Sequence, residues 1–441
     1  MARRAPPAAP LGWAGIARLG LVQSAIGAIV VLATSTMNRV MVVEYALPAM
    51  LPGALVALHY GVQMVRPRFG HGADAGGRAT RWIAGGFLVL ALGGILAALA
   101  VGMLAQAPLA GMLLAVPAYA LIGLGVGAAG TSLLALMARR VAPARRGAAA
   151  TLMWIMMIAG FALTSGVAGR YLDPFSPARL VEVTAATALV ALVIALAAIH
   201  RVEPREPAPL PARNADFRAA LAAEWADPEA RRFTVFVFVS MLAYSAQELV
   251  LEPYAGLVFA LTPGASTRLS GLLHAGAVLG MLAVAAGTTL GARRRPGLLR
   301  AFTVAGCIGS ALLLACLALA APLGAVAPLR ATVVLLGAAN GVFAVAAIGS
   351  MMELAGADGG RRAGVRMGLW GGAQAIAFAA GGIGGTLAVD AARAALGSAV
   401  AAYAAVFTLE AALFLAAALL AARLGRPATR LALAAAGGSH G

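Results

Sequence analysis

Residues 144–154 read ARRGAAATLMW, and residues 360–370 read GRRAGVRMGLW. Arg145, Arg146 and Trp154 in the first stretch match Arg361, Arg362 and Trp370 in the second, each 216 residues on. A nearly equal offset, 215, relates LHYG (58–61) to LHAG (273–276). Glu44 and Glu252 stand 208 apart, and the seven-residue difference fits a longer connection, LTPGAST, in the second copy. One such match means little in an alanine-rich chain. Three in order, each in the corresponding apolar span, are the mark of a duplication.

The matches sit in a chain of 441 residues that is 62% hydrophobic and 11% charged. A soluble domain has about 45–50% apolar and about 25% charged residues, so this chain holds more apolar surface than a water-soluble core can hide. Most segments also lack the polar stripe of helical period that a soluble helical protein shows. Runs long enough to span a bilayer as helices, about 20 residues each, fall near 19–44, 48–69, 82–104, 109–138, 149–170, 180–200, 233–260, 268–290, 299–321, 330–354, 365–389 and 398–422. The second is hard to end because Arg66 and Arg68 interrupt it. The expected fold is an all-α membrane protein of twelve transmembrane helices in two pseudo-symmetric six-helix halves.

There is no lysine, so all 33 basic residues are arginine. That excludes a P-loop nucleotide site and a Schiff-base enzyme, both of which need a lysine. With the N-terminus taken as cytoplasmic, 27 arginines fall in the tails and even-numbered connections and five on the opposite side, with Arg39 alone inside a span. The positive-inside bias then puts both termini in the cytoplasm. The net charge of +17 reflects topology and affinity for anionic lipid; the basic loops show no nucleic-acid motif. MARRAPPAAPLGWAGIARLG, residues 1–20, lacks an apolar core of signal-peptide length and is expected to be a cytoplasmic tail. Cys307 and Cys316, nine apart in one span, fall on opposite helix faces and suit neither a disulfide nor a metal.

The only long polar stretch is 201–231, a proline-rich linker followed by a short amphipathic segment, 214–226, with Phe217, Leu221 and Trp225 on one face. It divides the chain into an N-terminal half (1–200), the linker (201–231) and a C-terminal half (232–441). Two six-helix halves in parallel repeat are the architecture of the major facilitator superfamily. GADAGGRATR (72–81) resembles that superfamily's loop between helices 2 and 3 through Asp74, Gly77 and Arg78, a candidate latch on the cytoplasmic face. Its second-half counterpart, GARRRPG (291–297), keeps arginines but lacks the acid.

Longer blocks carry a closer resemblance. MNRVMVVEYALPAMLPGALVALHYGVQMVRPRFGHGADAGGR (37–78), TLMWIMMIAG (151–160), YLDPFSPARL (171–180), RRFTVFVFVSMLAYSAQELVLEPYAGLVFALTPGASTRLSGLLHAG (231–276) and GVRMGLWGGAQAIAFAAGG (364–382) resemble the PucC/LhaA family of phototrophic bacteria over nearly the whole chain. The resemblance implies a photosynthetic membrane and a role in assembling light-harvesting complexes from antenna polypeptides and bacteriochlorophyll. It also implies pigment binding or delivery, since family members are described as chlorophyll transporters. No nucleotide or enzymatic activity is expected, and secondary transport of pigment or another solute is the alternative reading.

The polar residues inside the spans are the candidate site. Asn38, Arg39 and Glu44 lie in span 1; Glu248 and Glu252, four apart, share a face of span 7; Glu410 stands near the middle of span 12. An unpaired arginine at mid-membrane costs at least ~2.5–3.5 kcal/mol, so Arg39 is expected to pair with Glu248 or Glu252 across the halves. Such a pair is either a functional cavity site or a structural tie. Glu353 ends span 10 beside Arg361 and Arg362, in the setting of a loop ion pair. His59 and His274 occupy repeat-related positions, each followed two residues on by a glycine, Gly61 or Gly276, which gives room for a flat ring. A neutral imidazole binds metals, so both are candidate axial ligands for bacteriochlorophyll magnesium; the competing role is a hydrogen bond to a neighbouring helix. The GxxxG spacings Gly123/Gly127 and Gly381/Gly385 suit close helix packing.

Overall fold

Proline or a small polar residue opens several of the helices of this chain, and arginines or left-handed residues close several of them. The computed structural model describes residues 10–65, 78–142, 145–203, 222, 225–290, 297–320, 322, 326–356 and 363–424. Among these the chain forms α1 (Trp13–Glu44), α2 (Met50–Val62), α3 (Ala79–Met103), α4 (Pro108–Arg140), α5 (Arg146–Tyr171), α6 (Pro177–Ile199), α7 (Pro228–Phe259), α8 (Pro263–Leu290), α9 (Leu298–Ala320), α10 (Val326–Gly356), α11 (Ala363–Leu396) and α12 (Ala399–Ala422). No strand occurs among the described residues. Ser176 caps α6 by accepting from the Arg179 amide, and Asp227 caps α7 by accepting from the Glu229 amide. In both, proline follows at the first helical position, where its missing N–H costs nothing.

Eleven of these helices are long and apolar enough to cross a membrane. The exception is α2, at 13 residues, which continues only as a 3-10 turn over Gln63–Val65 before the description stops. Expected spans run short at several ends, most clearly at α11, because the helices extend past their apolar windows to Leu396. Leu109, Leu163, Val193 and Leu319 are exposed on the outside of the bundle. That outward apolar surface is what a helix bundle presents to lipid, where backbone polar groups must be satisfied internally.

The packing repeats. In the first half α1 packs on α5 and α6, α3 on α4 and α6, and α2 on α4; in the second half α7 packs on α11 and α12, α9 on α10 and α12, and α8 on α10. The halves meet where α2 lies along α11 and α5 along α8, with α1 facing α7 between them. An exchange of halves maps each of these contacts onto its partner. The crossing of α8 and α10 is very close: a side chain added at Gly276 or Gly280 would strike the α10 backbone at Val334 or Ala338, and one at Gly337 or Gly341 would strike α8 at Leu273 or Ala277. Small residues let backbones approach in the absence of a hydrophobic drive. The expected packing glycines behave in the same way: Gly123 meets the backbone of His59, while Gly381 and Gly385 meet α7 at Leu242 and Ala246.

A buried polar seam between the halves

Helix α1 is not uniformly α. It passes through π-helical turns at Leu32–Thr36 and Val40–Glu44, on either side of Met37–Arg39. Wide turns of this kind bring residue i+5 over residue i. Arg39 and Glu44 are five apart, and they form the ion pair. The expectation that Arg39 would pair with Glu248 or Glu252 is therefore corrected: its carboxylate partner lies on its own helix, placed there by a register that an α-helical count does not anticipate. Arg39 does cross the halves, donating to the Leu261 carbonyl at 2.6 Å, just beyond the C-terminus of α7. A cation there also complements the negative end of the helix dipole. Gly256 makes the room, since a Cβ on it would lie 3.1 Å from the guanidinium. Just outside the span, burial and then the Glu44 carboxylate hold the Tyr45 phenol above its ordinary pKa.

Asn38 meets a different need. Pro253, inside α7, has no N–H to give to the carbonyl four residues back. That carbonyl, Leu249 O, instead accepts from Asn38 Nδ2 at 2.6 Å. A buried acceptor created by a proline in one half is thus satisfied by an amide from the other.

Further along, α7 and α8 form two polar rungs. On the first, Glu252 accepts from Ser35 of α1 at 2.5 Å, and Ser35 lies 3.2 Å from Ser270 of α8. Thr36 and Thr267 meet beside them at 3.2 Å. On the second, Glu248 Oε1 faces His274 Nε2 at 3.9 Å. His274 Nδ1 lies 2.8 Å from Ser270 O, so Nδ1 carries the proton and donates to that carbonyl. Phe161, from α5 of the other half, packs edge-on against the imidazole at 5.0 Å. Of the six polar-cluster residues singled out from the sequence, Asn38, Arg39, Glu44, Glu248 and Glu252 gather at this seam. Glu410 does not: it is buried in α12 within the second half's own core, and neither carboxyl oxygen has a partner among the described residues.

The histidines are both interior. His59 is buried on α2, with Gln63 Nε2 3.0 Å from its Nε2 and Tyr60 against its ring. His274 is 1% exposed. The room for a flat ring expected beside Gly276 is taken up by the crossing with α10, whereas a side chain at Gly61 would meet open space. The side of His274 that would coordinate a metal is turned to a carboxylate. Magnesium ligation there would require Glu248 to move.

Several functional contacts escaped sequence reasoning. Asp173, after α5, accepts from the Gly264 amide at 3.0 Å and from Thr262 Oγ1 at 3.0 Å, capping the start of α8. Asp390, on α11, accepts from the Ala49 and Met50 amides at 3.0 and 2.7 Å, capping the start of α2. Asp173 and Asp390 are 217 residues apart, and their targets Ala49 and Gly264 are 215 apart. These latches are repeat mates at the end of the bundle opposite residues 12 and 424, and the recurring offset was the signal that could have found them. At the other end Glu203 accepts from the amides of Ala79 and Thr80 and pairs with Arg139 at 3.2 Å, so the start of the linker caps α3. Of the candidate latch motif, Asp74 and Gly77 lie outside the described residues, as do Arg361, Arg362, Phe217 and Leu221, while Arg78 directly precedes α3. In the second half Gln247, Asn340 and Ser310 form a buried chain of hydrogen bonds at 3.1 and 2.7 Å.

One large cavity lies away from the seam. Helices α1, α5 and α6 enclose a groove of about 740 Å³, walled by Leu21, Leu163, Val190 and Ile194 and bounded at one end by Tyr171, Arg179 and Glu182. Leu163 is 70% exposed, so the groove opens sideways through the lipid-facing wall.

A family profile described as "PUCC protein" matches residues 36–429. The chain belongs to the PUCC family. This PUCC-family chain is 50% identical over 413 residues to the "Bacteriochlorophyll synthase 44.5 kDa chain" of Rhodobacter capsulatus, covering 93% of one and 95% of the other. It is 28% identical over 279 residues to "Protein PucC" of the same organism, 60% of each chain. Among solved structures it resembles the nucleoside transporter NupG (TM-score 0.66, 14% identity, 93% of this chain and 100% of that one) and a peptide transporter, POT (0.66, 16%, 95% and 97%). At such identities the likeness shows the fold alone: the PUCC-family chain has the twelve-helix major facilitator architecture.

Proposed function

We propose that the protein is a non-enzymatic assembly factor for bacterial light-harvesting complexes, which binds antenna polypeptides and holds bacteriochlorophyll as cargo on its way to them. The observation that carries this reading is the sideways-opening groove between α1, α5 and α6. A pigment with a ring and a long isoprenoid tail is itself dissolved in the membrane. A groove entered from the lipid, apolar along its length and polar at one end, suits such an amphiphile, and ligand sites are mostly apolar with a few placed polar groups. The tail-bearing end of the bundle is read as cytoplasmic from the arginine bias.

The test is the near-infrared absorption of detergent-purified protein. Bacteriochlorophyll should co-purify and be lost when Leu163→Trp and Val190→Trp fill the groove. If it is lost only when His59→Phe and His274→Phe are combined, the histidines hold it and the groove does not. A colourless wild-type protein that still restores antenna assembly would leave a polypeptide chaperone and remove the pigment role.

Alternating-access transport is the second reading, favoured by the seam: Arg39, Glu248 and Glu252 are charged-type groups buried between two halves, where intramembrane ionisable residues are functional candidates by default.

A further inference from the structure

The two rungs between α7 and α8 differ in one respect. On the first, a hydroxyl donates to a carboxylate: Ser35 to Glu252. On the second, two acceptors face each other. His274 has committed its Nδ1 proton to the Ser270 carbonyl, so Nε2 presents a lone pair, and it has no hydrogen-bond partner among the described residues. Opposite it, 3.9 Å away, stands Glu248 Oε1, which as a carboxylate is also only an acceptor. Both side chains are more than nine-tenths buried. With Glu248 as a carboxylate, the pair would present acceptor to acceptor and leave His274 Nε2 unsatisfied, which its burial makes costly.

We infer that Glu248 and His274 form a proton-binding site: one exchangeable proton is held on Glu248, facing the His274 Nε2 lone pair, when the seam is closed. The neutral acid facing a neutral imidazole is chosen over carboxylate and imidazolium because two separated charges there lose more solvation than their attraction returns. The groups facing the site are consistent with one proton. From α7 come Glu252, whose Oε1 accepts from Ser35 while its Oε2 has no hydrogen-bond partner among the described residues, and Tyr244, one turn away along the helix. From α1 comes Arg39, which is engaged by Glu44 and Leu261. From α5 comes the Phe161 ring.

The site is linked to conformation because Phe161 belongs to the first half, while Glu248 and His274 belong to the second. Parting α5 from α8 would admit water, which offers donors to both acceptors and makes the shared proton dispensable. The closed seam therefore takes up a proton, and the opened seam releases one to water.

The test is infrared difference spectroscopy of the full-length protein in lipid vesicles, titrated with pH, together with electron–electron distance measurements across α5 and α8. Glu248→Gln is the informative variant, because its amide can donate to Nε2 permanently and it should fold. Wild type should show a buried carboxylic-acid carbonyl band that disappears as pH rises, with a lengthening of the α5–α8 distance over the same range. Glu248→Gln should lack that band and keep the short distance throughout. Glu252→Gln should retain it, and Glu410→Gln identifies any band from the isolated acid in α12. Survival of that pH-sensitive band in Glu248→Gln combined with Glu410→Gln, or a distance that lengthens identically in wild type and Glu248→Gln, would overturn the proposal.

Discussion

Replacing Asp173 and Asp390 with alanine should open the end of the bundle opposite residues 12 and 424. Each carboxylate caps the first turn of a helix in the other half: Asp173 on α8 and Asp390 on α2. Both contacts exist only while the halves are together at that end. Loss of a helix N-cap costs about 0.5–2 kcal/mol, with charged caps toward the top of that range. Taking about 1–2 kcal/mol for each latch, and adding them because they share no partner, gives about 2–4 kcal/mol for the pair. At 1.4 kcal/mol per tenfold, the opening equilibrium should shift by about 30- to 700-fold in the double variant. Spin labels on cysteines at Tyr171 and Leu396, exposed residues in opposite halves, would report it once Cys307 and Cys316 are replaced. Asp173→Ala or Asp390→Ala alone should give a partial shift and the double variant a dominant long-distance population. Identical distance distributions in wild type and the double variant would refute the assignment of these carboxylates as the tie.

Other outcomes follow from single contacts. Asn38→Leu leaves Leu249 O without a donor and should cost about 1–3 kcal/mol, read as a lower thermal midpoint; adding Pro253→Ala restores the N–H and should recover most of the loss. Gly337→Val drives a side chain into the α8 backbone, so it should destabilise well beyond about 1 kcal/mol, whereas Gly371→Ala, which meets open space, should be near neutral in the same melt. Glu203→Ala uncaps α3 and should lower stability by about 1 kcal/mol, with faster proteolysis near residue 78 as the measurable sign. Arg39→Met should be worse than Arg39→Met combined with Glu44→Gln, because the single change strands a partly buried carboxylate.

Much of this architecture was legible because the bilayer imposes it. Span length follows from membrane thickness, and the duplication shows in Arg145/Arg361, Trp154/Trp370 and His59/His274 without reference to any contact. The seam was legible as composition: Asn38, Arg39, Glu44, Glu248 and Glu252 are polar residues in apolar runs, and they do gather. Their pairing was not legible, for a specific reason. Arg39 reaches Glu44 through a π turn, and the sequence offers no count that distinguishes i+5 from i+4 there. Asn38 had half a signal, since Pro253 announces an orphan carbonyl at Leu249 but not who satisfies it. Gly276 misled because a glycine beside a histidine reads equally as room for a ligand or as a backbone crossing. The spacing of Asp173 and Asp390 repeats that of the duplicated blocks, but nothing in the sequence says which amides they cap.

The two latches also bear on how such a chain came to exist. In a two-fold symmetric dimer, residue i of one subunit touches j of the other, and j is touched by i in return. Asp173 holding Gly264 while Asp390 holds Ala49 is that reciprocal pattern, preserved within one polypeptide. It is what remains of a self-complementary surface after the genes for two identical subunits are joined end to end. On that view residues 204–221 are a covalent afterthought, and co-expressed halves severed within them carry enough complementarity to find each other again in the membrane.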